Sequence, residues 1–336
     1  MSITIKDISK KLGISVSTVS KALNGYPDVS EGTRERIMEM ARELDYYPNL
    51  AAQSLRRGRT NKIGLLINNP LPFVSEYIAD IISGAALTAE QQGNNLVLYT
   101  TAVTHPNELR RICRAREVDG LMIIFTPPPD VVAVLHSENM PFIIFGRRVE
   151  QPGVSFVASD NRAGAYALTQ HLIEQGHRRI GFTTRPILKT VSDDRFAGYQ
   201  QALADAGIPF NSDLVLETII EEMSGYKAMN AFLDMAEPPT AVFTFYDLMA
   251  VNALDAAHDR GRRVPEDVAV AGFDGLRSSL ITTPRITTVQ QPLTAMGQRS
   301  MELLLIRIED NAQPPVSEIF PVELIVRQST RYQLEN

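Results

Sequence analysis

Short apolar segments that alternate with helix-length segments are the feature that most constrains how residues 62–290 can fold. The segments form two series: 63–67, 95–99, 121–125, 142–145 and 154–157, then 180–183, 241–245 and 268–273. Buried, β-branched strands that alternate with helices are typical of a doubly wound parallel sheet. Because an open sheet rarely holds more than about ten strands, the two series predict two similar α/β subdomains.

The first 47 residues show a different, helical pattern. Thr4 and Ser15 are suited to cap two short helices, and Gly13 between them suits a left-handed turn. A third amphipathic helix is predicted from Ser30 to Leu44. Two short helices joined by a glycine turn predict a helix-turn-helix, although the pattern alone also fits any small helical bundle.

The charge is distributed unevenly between these two regions. The whole chain carries a net charge of −6. Residues 1–60 contain ten lysines and arginines against seven acids, a net charge of +3, which leaves −9 for the remaining 276 residues. A basic head on an acidic body is expected when one module alone contacts phosphate.

Several classes of protein are disfavoured by the sequence. The single Cys113 has no partner for a disulfide, which fits a reducing cytosol. The N-terminal residues do not resemble a signal peptide, and no apolar run is long enough to span a membrane. These features together favour a cytoplasmic protein. A glycine-rich phosphate loop, a nucleophile elbow and metal-ligand spacing are all lacking, so we expect a protein that is not an enzyme and needs no cofactor or metal.

Residue identities in the head are more specific than its pattern. The segment 4–24, TIKDISKKLGISVSTVSKALN, and the later Tyr47-Pro48-Asn49 closely resemble the head of the lac repressor/galactose repressor (LacI/GalR) family. In that family the second helix enters the major groove of DNA. The resemblance therefore implies a sequence-specific, DNA-binding transcriptional regulator, most simply a repressor.

The resemblance also implies which residues contact DNA. Val16, Ser17 and Lys21 are expected to face base edges, where an apolar group, a hydroxyl and an ammonium read different patterns. Thr18 and Ser20 are expected to contact phosphates. The full set of expected DNA contacts is Thr4, Ser15, Val16, Ser17, Thr18, Ser20, Lys21, Asn24, Asn49, Ala52, Leu55 and Arg56.

Residues 48–60 are interpreted as a hinge helix and linker. Pro48 ends the third helix, Asn49 is suited to cap a new one, and Gly58 ends it after about two turns. The resemblance implies that this helix orders when two copies meet on DNA, with Leu55 wedged between base pairs and the small Ala52 allowing close approach. A plain basic linker is the alternative.

The resemblance continues through the body. The matching segments are DNR at 160–162, GHRRIG at 176–181, RFAGY at 195–199, VPEDV at 264–268, GFD at 272–274 and TTVQQP at 287–292. It implies the fold of periplasmic binding proteins for the body, with two doubly wound parallel-sheet subdomains that follow the all-α head in the sequence. We expect the N-terminal effector subdomain to comprise 62–160 and 291–320, and the C-terminal one 161–290 and 321–336.

A small-molecule effector is expected between the subdomains, at the carboxyl ends of the strands. Arg195 and Asp274 match positions that hold ligand hydroxyls or polar edges in relatives, and a charged pair suits a polyol. The other expected contacts are Phe73, Val74, Arg147, Tyr246, Asp247 and Leu293. A sugar or sugar derivative is favoured; a purine or another polar metabolite is the alternative within the same class.

Tyr246 departs from the family pattern, which usually has asparagine before the aspartate that corresponds to Asp247. The effector is therefore expected to differ in size or orientation from familiar sugars.

The chain lacks the extra heptad helix that makes some relatives tetramers, so we expect a homodimer on a pseudo-palindromic DNA operator. A transporter-linked solute receptor is the remaining rival, and the head counts against it.

Overall fold

In the computed structural model, the described residues are 3–46, 58–67, 76–99, 106–124, 129–186, 189–219, 221 and 223–331. They fall into two compact units, Met1–Thr60 and Asn61–Asn336, which we call the head and the body. None of the helices in this described part is long and apolar enough to cross a membrane.

The head contains three helices, α1 (Ile5–Leu12), α2 (Val16–Leu23) and α3 (Glu31–Glu43). Their buried core consists of Ile8, Val19, Ala22, Val29, Ile37 and Ala41. Gly13 ends α1 with φ +66°, a left-handed conformation that only glycine adopts without strain. A core this small provides limited stability.

The body alternates strands and helices along the chain. Its strands are β1 (Lys62–Ile67), β2 (Asn95–Tyr99), β3 (Gly120–Ile124), β4 (Phe142–Phe145), β5 (Phe156–Ser159), β6 (Ile180–Thr184), β7 (Val215–Glu217), β8 (Ala241–Phe243), β9 (Ala269–Asp274), β10 (Thr287–Gln290), β11 (Ser317–Phe320) and β12 (Glu323–Ile325). Its helices are α4 (Glu76–Gln91), α5 (Pro106–Arg114), α6 (Pro129–Ser137), α7 (Asn161–Glu174), α8 (Lys189–Asp205), α9 (Ser224–Leu233), α10 (Asp247–Asp259) and α11 (Leu293–Glu309).

The strands form two six-stranded sheets. The first sheet has the order β11-β5-β4-β3-β1-β2, and all of its pairs are parallel. The second has the order β12-β10-β9-β8-β6-β7 and is parallel except for the antiparallel edge strand β12. The predicted fold class, an all-α head with two doubly wound subdomains, is confirmed.

Apolar side chains cover both faces of each sheet. In β1, Ile63, Leu65 and Ile67 pack into one cluster, whereas Leu66 packs into the cluster on the opposite face. The second sheet repeats this arrangement, with Phe243 on one face and Val242 on the other. Burial on both faces explains the continuous apolar runs in the sequence.

The described chain passes between the two sheets three times, after Ser159, after Gln290 and after Phe320. We call these three segments the crossovers. The predicted subdomain limits, at residues 160, 290 and 320, remain predictions. The strand expected at 154–157 begins two residues later, because Phe156 is the first residue that pairs with β11.

Candidate functional site

The second helix of the head presents polar and small side chains to solvent. Val16, Ser17 and Lys21 are exposed, whereas Val19 and Ala22 of the same helix are buried. An exposed valine at the first position of a helix has no role in the core. The structure therefore places the three predicted base-reading residues on the outer side of α2.

Lys21 forms an ion pair with Asp28. The hydrogen bond from Lys21 lowers the pKa of the Asp28 carboxyl. Both side chains are about half exposed, so the pair contributes little to stability and is readily exchanged for a phosphate or a base.

Several of the predicted DNA contacts also take part in capping the helices. Ser15 Oγ accepts a hydrogen bond from the Thr18 amide at 3.0 Å. Asn24 Nδ2 donates to the Ser20 carbonyl at 2.6 Å. Asp7 accepts from the Thr4 amide and hydroxyl, both at 2.8 Å, as a capping box requires. These polar groups are held rigidly at the ends of α1 and α2.

Four predicted hinge contacts, Asn49, Ala52, Leu55 and Arg56, lie outside the described residues. Two predicted effector contacts, Phe73 and Val74, lie outside them as well. Their roles therefore stay predictions.

In the body, charged residues meet at the carboxyl ends of the strands of the second sheet. Arg195 of α8 and Asp274 at the end of β9 are 4% and 7% exposed. The Arg195 Nη2 atom lies 3.5 Å from Asp274 Oδ1. Its guanidinium lies 3.7 Å from the ring centroid of Phe273 and 4.6 Å from that of Phe245. The two aromatic rings hold the guanidinium in one plane.

This pair belongs to a closed ring of hydrogen bonds that includes two crossovers. Gln291 Nε2 donates to Asp274 Oδ1 at 2.6 Å, and Ser159 Oγ donates to the other end of the Gln291 amide. Arg195 Nε donates to Asn161 Oδ1 at 2.8 Å, and Asn161 Nδ2 donates to the Ser159 carbonyl at 3.1 Å. The charged pair is therefore hydrogen-bonded to residues in two of the segments that join the sheets.

Asp274 shows two signs of strain. Its φ is +111°, which a non-glycine residue rarely adopts and which is found mainly at functional sites. Burial raises the pKa of its carboxyl to about 6, although Arg195 and Gln291 oppose the shift. Its Oδ1 accepts hydrogen bonds from Gln291 and Arg195.

Asp247, a predicted effector contact, is fully buried at the start of α10. Its Oδ1 accepts from Thr288 Oγ1 at 2.5 Å, and its Oδ2 accepts from the Leu276 amide at 2.6 Å. Burial, followed by the charge of Asp274, raises the pKa of Asp247 to about 8. Both of its oxygens bind the chain itself, so its observed contacts hold the segment after β9 in place.

The other predicted effector residues lie in different environments. Arg147 is partly buried after β4, and burial lowers its pKa. Tyr246 is partly buried after β8. Leu293 is 3% exposed and packs in the core of the first subdomain, together with Leu276 from the second. Leu276 and Leu293 therefore join the two subdomains by apolar contact.

Direct contacts also join segments that carry the first sheet to segments that carry the second. Arg148 forms an ion pair with Asp194 of α8 at 3.0 Å. Glu76 at the start of α4 accepts from the Ser278 amide at 3.0 Å. A Cβ on Gly146 would lie 3.2 Å from the Tyr77 hydroxyl, and the charge of Asp274 contributes to raising the Tyr77 pKa, after burial.

Sequence reasoning missed Arg185 and Tyr77, and it placed Asn161 and Gln291 only within crossovers between the subdomains, not at the charged pair. Arg185 directly follows the apolar segment that became β6, so its position at a strand end was a usable signal. Tyr77 carries no such signal, because it lies within the first turn of α4.

Comparisons with known proteins agree with this architecture. Residues 4–49 match the family described as bacterial regulatory proteins, lacI family, and residues 169–330 match the periplasmic binding protein-like domain. The HTH-type transcriptional repressor PurR of Aliivibrio salmonicida is 31% identical, covering 97% of this chain and 98% of its own length. The PurR of Aliivibrio fischeri is 32% identical, covering 99% of both chains.

Two solved structures resemble the entire chain. The complex of the transcriptional regulator CelR with cellobiose is 32% identical, with a TM-score of 0.74, and covers 97% of this chain and 99% of its own. The lac repressor dimer bound to operator and the anti-inducer ONPF is 26% identical, with a TM-score of 0.85, and covers 98% and 99%. The relatives are transcriptional repressors and not enzymes, and this chain belongs to the LacI family of DNA-binding transcriptional repressors, with a helix-turn-helix head and an effector-binding body.

Proposed function

We propose that this protein is a homodimeric repressor that binds a pseudo-palindromic operator. Its affinity for the operator falls or rises when a carbohydrate binds between the two body subdomains. The observation that carries the proposal is the ring through Ser159, Asn161, Arg195, Asp274 and Gln291, which joins a buried charged pair to two crossovers.

The charged pair suits a polyol. Asp274 accepts hydrogen bonds and Arg195 donates them, so adjacent sugar hydroxyls find both kinds of partner at one point. Proteins of similar structure have been solved with sugars: CelR with cellobiose, and a LacI family regulator from Enterococcus faecium with ribose. The latter is 26% identical, with a TM-score of 0.71.

The mechanism follows from the ring. A ligand that bonds to Asp274 or Arg195 competes with Gln291 or Asn161 and so alters the crossovers. Binding shifts the equilibrium between two arrangements of the subdomains by its difference in affinity for them. In a dimer acting on DNA in the cytoplasm, this shift changes the spacing of the two heads and the pairing of the hinge helices.

A purine effector is the second candidate. The relatives named PurR match nearly the full length of the chain, and the Tyr246 ring offers an aromatic plane at the end of β8, where a base can stack. The Arg185 guanidinium lies 4.9 Å from the centroid of that ring.

A thermal-shift screen of matched sugars, sugar phosphates, nucleobases and nucleosides tests the proposal, since a ligand of the native state must raise its melting temperature. We expect a sugar to produce the largest shift and to change the affinity for an inverted-repeat duplex. A shift from hypoxanthine or guanine alone would transfer the assignment to purines.

The hinge role needs its own test. Leu55→Ala is expected to weaken operator binding by about 10- to 100-fold, the scale of a lost unstacking wedge, while the body melts normally. Thr60→Ala, next to the hinge, serves as the matched control. Unchanged affinity of Leu55→Ala would reject the wedge in favour of a plain basic linker.

A further inference from the structure

Arg185 is a buried cation that forms no ion pair with the described residues; the Tyr246 side chain and the charge of Asp274, which lies beyond ion-pair distance, favour its charged form. It follows β6 directly and is 4% exposed. Its Nη2 donates to the Ile219 carbonyl at 3.3 Å, and its guanidinium lies over Tyr246. Its buried Nε has no hydrogen-bond acceptor, and among the described residues no carboxylate lies within ion-pair distance of it.

The neighbouring charges are balanced from within the chain. Arg195 has Asp274, Asn161 and the Phe245 carbonyl as partners. Asp247 has Thr288 and the Leu276 amide. Arg185 has weaker partners, which are the Ile219 carbonyl at 3.3 Å, the Tyr246 side chain and the charge of Asp274, and its Nε has none; burial, the largest cause, lowers its pKa.

Arg185 lies at the edge of the second sheet where the effector site is proposed. β6 lies beside β8 in the second sheet, and β8 lies beside β9, so Arg185, Tyr246 and Asp274 follow neighbouring strands at one edge. Arg147 lies two residues after Phe145, the last residue of β4 in the first sheet. Its neighbour Gly146 lies close to the Tyr77 hydroxyl. Arg147 and Arg185 therefore each lie just beyond the carboxyl end of a strand, one in each sheet.

An uncompensated buried charge is costly, and a protein keeps one where a ligand supplies the opposite charge. A guanidinium binds oxyanions through paired, planar hydrogen bonds, which strengthen where water is excluded. A neutral sugar offers no charge to Arg185, whereas a phosphorylated or carboxylated sugar does.

We propose that the effector carries an oxyanion, as a sugar phosphate or a sugar acid does, and that Arg185 binds this group while Arg195 and Asp274 bind hydroxyls. This inference rests on the proposed function, because it assigns a chemical class to the ligand of the same cleft. Arg185 then determines specificity, since it separates anionic sugars from their neutral parents.

The test compares neutral and anionic forms of the same sugar on the full-length protein. Glucose, glucose 6-phosphate, gluconate, ribose and ribose 5-phosphate are titrated by calorimetry and thermal shift at equal ionic strength, set with potassium chloride. We expect an anionic member to bind tighter than its parent, and its chemistry to distinguish a phosphate site from a carboxylate site.

Three variants identify the residue responsible. Arg185→Met is expected to lose about 10- to 100-fold in affinity for the anionic ligand, the scale of a lost charged hydrogen bond, and Arg185→Lys to recover part of it. Arg263→Met is the matched control, because the Arg263 side chain is 72% exposed and pairs with Asp267; its affinity should match that of the wild type.

A second measurement separates binding from structure. If Arg185 is kept for a ligand, ligand-free Arg185→Met should melt at the wild-type temperature or above it, because an unbalanced buried charge has been removed. A lower melting temperature would assign Arg185 a structural role and contradict the proposal.

The outcomes also separate this inference from the proposed function. If neutral sugars bind through Arg195 and their anionic forms bind no better, the oxyanion site is rejected and the sugar-controlled repressor stands. Unchanged anion affinity in Arg185→Met rejects the assignment of Arg185. If neither neutral nor anionic sugars bind, both proposals are rejected.

Discussion

In the head, the side chains proposed to read DNA are exposed, whereas in the body the charged groups proposed to sense the effector are almost fully buried. Val16, Ser17 and Lys21 lie on the outside of α2. The core of the head, to which α2 contributes, consists of six small and medium-sized apolar residues. Arg195 and Asp274 are buried at the carboxyl ends of the second sheet, which has apolar clusters on both of its faces. DNA reading therefore depends on a surface, and effector sensing depends on buried charge.

This difference changes what a substitution should do in each region. An exposed contact is removed at little cost to folding, because solvent replaces the lost partner. A buried ionic contact leaves its partner uncompensated, so function and stability fall together.

The largest effect is expected from Arg195→Ala. It leaves Asp274 buried without its cation and opens the ring to Asn161, so the free energy of unfolding of the body should fall by about 3–5 kcal/mol. Chemical denaturation measures this change, and operator binding with the effector present measures the response. The variant should bind DNA but ignore the effector; a normal effector response would move the pocket elsewhere.

Ile37→Ala tests how far the head depends on its small core. Ile37 is fully buried, and its truncation should cost about 2–5 kcal/mol, enough to unfold much of a three-helix unit. We expect operator binding to disappear while effector binding persists. Calorimetry should show that the body melts at its wild-type temperature. If the melting temperatures of the head and the body fall together, the two units do not unfold separately.

Asp247→Asn tests the buried charge through its pH dependence. The pKa of Asp247 is raised from 3.8 to about 8 in the folded body. The folded protein thus keeps a proton that the unfolded chain has lost, so this contribution to stability falls as pH rises through about 8. Asparagine cannot ionise, so the decline in body melting temperature between pH 4 and 8 should be smaller in the variant. Parallel curves would assign the titration to another group.

The smallest effect is expected from Lys21→Ala. Removal of this exposed ammonium should cost operator affinity about 1–3 kcal/mol and relax the preference at one base position. A panel of duplexes with single base changes measures this preference by fluorescence anisotropy. A uniform loss on every duplex, with a shallower salt dependence, would reassign Lys21 to a phosphate contact. Folding of the head should be unchanged, in contrast to Ile37→Ala.

The sequence predicted the strands that are apolar throughout, such as β1, β3 and β4. The strands it did not identify, including β7, β11 and β12, are short, and each contains an exposed glutamate or serine. Edge strands of this kind have no buried run to reveal them, since one side faces solvent. Their pairing is decided by the neighbouring strand.

The charged pair was predictable because strand ends at one sheet edge converge, but its partners were not. Ser159 and Gln291 are 132 residues apart, and only the two crossovers bring them together. Asp247 points inward because Gly272 leaves room for it: a Cβ there would lie 2.3 Å from Asp247 Oδ1. Neither arrangement is encoded in local spacing.

If a buried effector site in the body controls an exposed DNA-reading head, the preference of the protein for its operator must depend on the ligand. The most direct measurement is the affinity of the full-length protein for inverted-repeat and scrambled duplexes, with and without the ligand that gives the largest thermal shift. We predict a preference of about 1,000-fold or more for a matching repeat, and a change in that preference when the ligand is added. Equal affinity for both duplexes in all conditions would contradict the account.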